Sequence, residues 1–438
     1  MRKILWWGPM TSFKKLWRCK RGNVLAIAAA ALPLVIGSAG LASDTIQWAL
    51  WKRQLQRAAD SAAIAGVYDR ITNDGASGNV GTAVANDLAQ NNHTIPDLLA
   101  AYPTVGFPAD TSSYTIPVQV TLGVQRKLGF SSLFLSSPPL ITATATAATI
   151  KKGTYCVVSL EEDDATGIRA TGNGDINLGC GMITNSRSMS AAIATGSSDV
   201  TATPIAAVGD VQESDNWNGA ELLSYTVKQD DPFAAKNPPT FTGCQTGPGV
   251  NLSISPTSTV NFASGGPITH AAGSVQCFKS MSIKGTLTLA AATYVIDSGS
   301  VDFDATATVN CTGCTIVLTN SDPSPTATIG TVAMNGTTHL NMHAPTSGYF
   351  KDILFYQDRR AADGGLNKIL GDATSVFEGA FYFPKQELQL GGNATMTTTC
   401  GQFVAKTVDF VGNGGLTNTC PGGYGSKAIW GRHVRLVA

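Results

Sequence analysis

Gly172-Asn-Gly-Asp-Ile-Asn-Leu178 is a turn followed by a short alternating strand, and close copies of it recur through the C-terminal two-thirds of the chain. Gly196-Ser-Ser-Asp-Val-Thr-Ala202, Gly391-Gly-Asn-Ala-Thr-Met-Thr397 and Gly412-Asn-Gly-Gly-Leu-Thr417 share its form. An apolar residue stands four places after the glycine each time: Ile176 after Gly172, Val200 after Gly196, Leu289 after Gly285, Leu340 after Gly336, Met396 after Gly392 and Leu416 after Gly412. Gly371 and Val376 fit with one residue of slack. The separations 172–196, 336–371, 371–392 and 392–412 are 24, 35, 21 and 20 residues. Glycine and asparagine adopt positive φ at little cost, so they suit corners. A corner and a strand at such a period point to a parallel β-solenoid, whose coils bury their apolar side only by stacking. A β-sandwich is the alternative, since short strands with regular turns fit it too.

Composition agrees. The 438 residues suffice for two or three domains, carry 46 glycines, and are 14% charged with a net charge of +0. Soluble domains average about 25% charged residues. No basic excess exists to neutralise phosphates, which excludes nucleic acid as a partner. Of nine cysteines, Cys19 stands apart near the N-terminus, and eight follow: Cys156, Cys180, Cys244, Cys277, Cys311, Cys314, Cys400 and Cys420. An even set suits an oxidising compartment. Pairing by sequence neighbours (156–180, 244–277, 311–314, 400–420) is the first choice. A redox or zinc role for Cys311-Thr-Gly-Cys314 is the alternative.

Val24 to Ala42 is a run of 19 uncharged residues. A bilayer-spanning helix needs ~20. Seven cations precede it (Arg2, Lys3, Lys14, Lys15, Arg18, Lys20, Arg21), and three follow within a comparable distance (Lys52, Arg53, Arg57). The positive-inside rule then places the N-terminus in the cytoplasm. Trp6, Trp7 and Trp17 on one side and Trp48 and Trp51 on the other suit indole anchoring at the two interfaces. A cleaved signal peptide competes, because Gly40-Leu-Ala42 offers small residues, but the run is longer than usual and contains Pro33. Beyond Asp44, the residues Trp48, Trp51, Leu55, Ala58, Ala62 and Ala65 follow a heptad spacing. They form a seam on which another helix can pack closely. The same stripe would equally pack on the chain's own next domain.

Arg21-Gly-Asn-Val-Leu-Ala-Ile-Ala-Ala-Ala-Ala-Leu-Pro33, Gly40-Leu-Ala-Ser-Asp44 and Leu55-Gln-Arg-Ala-Ala-Asp-Ser-Ala-Ala-Ile-Ala65 resemble the N-terminal segment of TadE/TadG-like proteins, which serve the Flp (tight adherence) pilus machinery of bacteria. The resemblance covers residues 18–67. Pseudopilins of this family carry a glutamate five residues into the mature chain; after a cut at Gly22 this chain has Ile27 there. The resemblance therefore implies the TadG-like branch, which stays anchored. The von Willebrand A domain of some TadG-like proteins is not implied, because its Asp-x-Ser-x-Ser signature is missing. Gly-Asn-Ala repeats and an aromatic segment like Ile353-Leu-Phe-Tyr-Gln-Asp-Arg-Arg360 also occur in exported TadG-like domains.

A search for chemistry finds little. Asp302 and Asp304 share a strand face near Asp297, and Asp358-Arg359-Arg360 form a second charged group, but neither has the companions of a polysaccharide-cleaving site, so both read as solvent-facing charges. Glu161-Glu-Asp-Asp164 lacks the spacing of a calcium loop and reads as a solvated acidic turn. His339 and His343 lie on one strand face, about 13 Å apart at ~3.3 Å per residue, too far to share a metal. Phe130, Leu133, Phe134 and Leu135 read as local core, with membrane contact as the alternative. No enzymatic activity and no cofactor are expected.

The expected organisation is a basic cytoplasmic tail (1–22), a transmembrane helix (23–43), an amphipathic stalk (44–72), a membrane-proximal α+β region (73–152), and a disulfide-stapled, right-handed parallel β-solenoid-like domain (153–438) with a loop excursion near 204–250. The whole is mainly β. The expected setting is the bacterial inner membrane, with the C-terminal bulk periplasmic or surface-exposed. Expected partners are the lipid bilayer, pilus-assembly or pseudopilin-like membrane proteins and, as an alternative, envelope glycans.

Overall fold

The computed structural model describes residues 23–73, 75–90, 98–241, 244, 251–262, 275–392 and 394–437. They fall into two units, 1–150 with 434–438, and 151–433. The basic tail 1–22 lies outside the described residues.

The first unit is built on one helix, α1 (Asn23–Thr72), which continues through Pro33. Its composition changes along its length, and burial follows. Val24, Leu32, Leu34, Val35, Leu41, Ile46 and Leu50 are exposed, whereas Leu55, Ala58, Ala59, Ala62, Ala63 and Val67 are buried. The buried half packs on α2 (Val80–Gln90), which contributes Val80, Val84 and Leu88. The other side of this core is an antiparallel pair, Thr115–Gln125 against residues 140–149 of the strand Leu140–Ser159, with Thr104–Gly106 on the outer edge. Alternation puts Val118, Val120, Leu122, Val124, Ile141, Ala143, Ala145 and Ala147 inward, while Thr121 and Thr144 face each other outside with hydroxyls 2.9 Å apart. Gly66 allows the close approach: a Cβ there would lie 2.9 Å from Val118 Cγ1 and 3.0 Å from Val80 Cγ1. Val434 packs on the same core.

Of the two readings of the heptad seam, the geometry fits packing on the chain's own next elements: Leu55, Ala58 and Ala62 are buried against α2 and the sheet, Ala65 and Trp51 are half-buried, and Trp48 alone of the six is exposed. Of the patch read as local core, Phe130 is half-buried, but the other three residues are exposed. Leu133 and Phe134 are each 74% exposed, and Leu135 is 51% exposed.

In the second unit the described ladders are parallel. That matches the solenoid-like expectation and removes the antiparallel sandwich. Three strands make a coil, and each pairs with the strand one coil on: Val275–Phe278 with Thr293–Asp297, that strand with Thr315–Thr319, and that with Ile353–Gln357. The residues four places after the repeat glycines (Ile176, Val200, Leu289, Leu340, Met396, Leu416) are all buried on one of the three ladders. Side chains stack in register inside. Phe355, Phe381 and Phe403 lie face to face at 5.4 and 5.3 Å, each pair adding about 0.5–1.5 kcal/mol beyond its buried area.

Stacking order departs from chain order. The coil 402–419 does not end the stack. Its free side carries the first coil: Phe403–Ala405 pair with Val157–Ser159, Val408–Phe410 with Ile168–Ala170, and Leu416 with Ile176. From there the stack runs on through Gly181–Thr184 and Ile205–Ala207 to Leu222–Leu223. The chain then returns at the opposite end, at Asn251–Ile254 beside Ser280–Ile283. A column of corner glycines crosses the join. Gly196 sits on Gly172, Gly172 on Gly412, Gly412 on Gly392 and Gly392 on Gly371; a Cβ on Gly172 (φ +101°) would lie 2.4 Å from the Gly412 carbonyl oxygen.

Residues 226–241 form a strap along the outside of one ladder. Asn185 and the Gln229 backbone bond each other twice (2.9 and 2.8 Å), the Tyr382 hydroxyl donates to Asp231 (2.6 Å), and the Tyr356 hydroxyl donates to the Lys236 carbonyl (2.8 Å). The excursion expected near 204–250 thus contains coil strands (205–207, 222–223) before the strap begins. Disulfides join Cys156–Cys180, Cys244–Cys277, Cys311–Cys314 and Cys400–Cys420.

Two outcomes follow from the packing. Gly172→Ala forces a side chain against the neighbouring carbonyl at positive φ and is expected to cost about 1–3 kcal/mol in denaturant unfolding. A Gly172→Ala chain as stable as wild type would show that the first and last coils are not stacked. Ala62→Leu overpacks the α1–sheet contact and is expected to cost about 1–3 kcal/mol. Unchanged protease resistance of that variant would mean the seam is free.

Candidate functional surface

The N-terminal half of α1 is apolar and exposed along its length. Among the described residues, one helix is long and apolar enough to cross a membrane, and almost none of its apolar stretch is buried. At ~1.5 Å per residue, its first ~21 residues cover the ~30 Å hydrocarbon thickness. Where the buried half begins, polar groups fasten the helix to the hairpin and to α2. Lys52 Nζ donates to the Thr142 carbonyl, Gln56 Nε2 donates to Thr144 O (3.0 Å), and Ser61 Oγ donates to Asp87 (2.8 Å). Arg70 donates to Pro117 O (2.8 Å) and lies over the Phe107 ring, and Arg126 lies over Trp51 at 5.4 Å. Asp44 is buried on the otherwise apolar segment. Its carboxylate accepts from Phe130 N (3.0 Å), Ser131 N and Ser131 Oγ (2.6 Å), tying the hairpin tip to the helix.

In the second unit the candidate chemical groups are dispersed and structural. Asp302 and Asp304 are exposed; Asp304 pairs with Lys284 (3.5 Å) and accepts from Ala305 N. Asp297 is buried, and its carboxylate takes Lys279 Nζ together with Ser321 N and Oγ, so it is held ionised, below the usual carboxylate range, despite burial. It lies within 4.8 Å of Cys244 and Cys277, but those sulfurs are bonded to each other, which leaves no thiolate pair for a metal.

Asp358-Arg359-Arg360 is not the solvent-facing group expected. Asp358 is buried, accepting from Thr319 Oγ1 (2.7 Å) and Arg360 (2.8 Å), while Arg360 also donates to the carbonyls of Asn320 and Asp322. Arg359 reaches Phe233 O, Asn237 Oδ1 and the Tyr382 hydroxyl, so this charged group clamps the strap. Glu161 is likewise buried within its acidic turn, accepting from Asp163 N at 2.8 Å. His339 pairs with Asp372 (2.7 Å), and His343 with Glu378 (3.1 Å). Each imidazole has its own carboxylate, and the two do not converge.

One group escaped sequence reasoning. Asp409 alternates outward between the buried Val408 and Phe410, yet burial pushes its carboxyl up to about 6; Arg169 at 4.0 Å opposes this, and Glu387 adds to it. Its Oδ1 is buried without a hydrogen-bond partner among the described residues. Nothing in Thr407-Val-Asp-Phe410 marks it, because the perturbing groups come from neighbouring coils. The folded state holds this proton more tightly than the unfolded one, whose carboxyl titrates near 3.9, so the penalty is present above about pH 6 and disappears as pH falls toward 4. Asp409→Asn is therefore expected to stabilise the fold at pH 7.5 by on the order of 1 kcal/mol, and to have no advantage at pH 4. Urea unfolding at both pH values checks this, and equal gains at both would remove the titration as the cause.

Among known proteins, the family model described as "Putative Flp pilus-assembly TadE/G-like" matches residues 22–72, the extent of α1. No curated protein and no solved structure matches the chain. Over residues 22–72 the chain is thus similar to the TadE/G-like family, and the matched segment is the apolar helix that fits a membrane anchor.

Proposed function

We propose that the chain is a non-enzymatic, membrane-anchored structural or assembly component of a Tad/Flp-type pilus or a related surface-attachment system. The observation that carries this reading is the coincidence of the family match, residues 22–72, with one helix whose first half is apolar and exposed. The charge asymmetry in the sequence supports a cytoplasmic N-terminus in the bacterial inner membrane and a periplasmic or surface-exposed bulk. Four disulfides support an oxidising compartment for the second unit. Its role there is mechanical: a rigid stack of coils displayed by an anchor, with pilus-assembly or pseudopilin-like membrane proteins as partners.

A second reading, glycan binding, is favoured by one surface. Thr288, Asn310, Asn341, Thr397, Thr417, Asn177 and Thr201 stand in a single cross-coil row, aligned through Val376, and present hydroxyls and amides on one ladder.

Removing the chain from its host is expected to abolish pilus assembly and surface attachment, with full rescue by the intact chain. Full assembly without it would overturn the proposal, and rescue by a chain whose residues 23–43 are exchanged for an unrelated span would reduce that segment to a tether.

A further inference from the structure

The hairpin tip between Thr115–Gln125 and Leu140–Ser159 is built against the usual rule for a turn in water, where polar residues dominate. It holds a single 3₁₀ turn, Ser131–Leu133, and shows Leu133, Phe134 and Leu135 outward, while Leu140 at its base is half exposed. Four large apolar side chains in one short segment cost solvation, and none of them belongs to the core of the unit, although the Phe134 ring meets that of Phe130 at 5.3 Å.

The tip is also held at a defined place. Asp44 takes two backbone amides and a hydroxyl from Phe130 and Ser131, and the Phe130 ring lies flat enough on α1 that a Cβ on Gly40 would meet its Cδ2 at 2.4 Å. A Cβ on Gly37 would lie 4.0 Å from Cζ of the same ring. The tip therefore sits beside the last turns of the exposed apolar helix, next to Leu41 and Ile36, and continues that surface sideways. Polarity returns on the side away from the tip, where Arg126 lies over Trp51, next to Lys127. An apolar tip, then cations and an indole, is the order of groups met on passing from acyl chains to headgroups.

We infer that the tip 130–135 is a membrane wedge: it inserts into the acyl–headgroup boundary of the same bilayer that α1 crosses, so the first unit is held by a helix and a loop rather than by a helix alone. The occupant of the patch is lipid, because the patch is continuous with the helix surface that meets lipid. The inference rests on the anchoring reading of α1, and Asp44 and Gly40 are the positioning residues that set the insertion depth.

The test uses the full chain with Cys19→Ser, reconstituted into phosphatidylcholine–phosphatidylglycerol vesicles containing a lipid with a nitroxide high on its acyl chain. A fluorophore is placed at Phe134→Cys, with Leu133→Cys as a second position in case one variant misfolds. Leu41→Cys reports the span, and Ser77→Cys, exposed on the same unit, reports water. Quenching at 134 or 133 close to that at 41, and at least threefold above that at 77, is the expected result. Quenching at 41 with none at 133 and 134 overturns the wedge and leaves the anchor standing. Loss of iodide access at 134 without lipid quenching also overturns it, and gives the patch to a protein partner or a second copy. No quenching at 41 removes the anchor and the wedge together. Gly40→Val, which displaces Phe130, is expected to lower quenching at 134 while leaving that at 41 unchanged.

Discussion

The stacking of Gly172 on Gly412 is the contact on which the second unit depends. Every coil of a solenoid exposes two edges of unpaired backbone until a neighbour covers them. Here the coil at 155–178 finds its neighbour at 402–419, so the middle of the stack is made from the two ends of the domain. Closing the ~240 residues between Ile168 and Val408 costs only about 2 kcal/mol more in chain entropy than closing a coil of ~20. Three ladders of main-chain hydrogen bonds readily exceed that, which makes the topology thermodynamically cheap. Its consequence is kinetic. The first coils have an open edge until the last have formed, and contacts of such high sequence separation form late.

The strap is the counterpart of that join. A chain that has built one end of the stack must travel back to begin at the other, and 226–241 make that journey along a ladder rather than through solvent. The charges placed under it explain themselves in those terms. Asp358, buried, is matched by Arg360 and a threonine hydroxyl, so the ion is paired and hydrogen-bonded as burial demands. Arg359 then spends its donors on strap carbonyl and amide oxygens. Tyr356 and Tyr382 stack at 5.1 Å beneath and aim their hydroxyls at the strap, and burial raises both phenols well above their ordinary value, so they remain neutral donors.

How much of this was legible in the sequence depends on range. The Gly-x-x-x-apolar unit is local: a corner needing positive φ and a strand needing an inward residue lie within five positions, so Ile176, Val200 and Leu416 were all readable as core. The same glycines also carry the join, but a repeat has no direction, and nothing distinguishes Gly412 meeting a later coil from Gly412 meeting Gly172. Asp358 and Glu161, read as solvent-facing, and Asp409, not singled out by its sequence, share one physical cause. Asp358, Glu161 and Asp409 owe their burial to segments tens to hundreds of residues away, which a one-dimensional pattern does not contain. The hairpin tip was ambiguous for the opposite reason: Phe130, Leu133, Phe134 and Leu135 are apolar enough for a core or a bilayer, and the exposure of the last three removes the core.

The alanine stripe of α1 illustrates a limit of small-residue patterns in general. Alanine permits close approach by removing bulk, and it is indifferent to whether the approaching surface is a second helix or a sheet. Here Ala58, Ala62 and Gly66 meet Val118, Val80 and the alanine-lined strand 141–147, so that capacity is already used. Gly40 is used in the same way by Phe130. What stays open lies further toward the N-terminus, where Ala28, Ala29, Ala30 and Ala31 are exposed in succession on the apolar segment. In lipid, helices gain nothing from hydrophobic burial and associate through close packing, for which a run of alanines is suited.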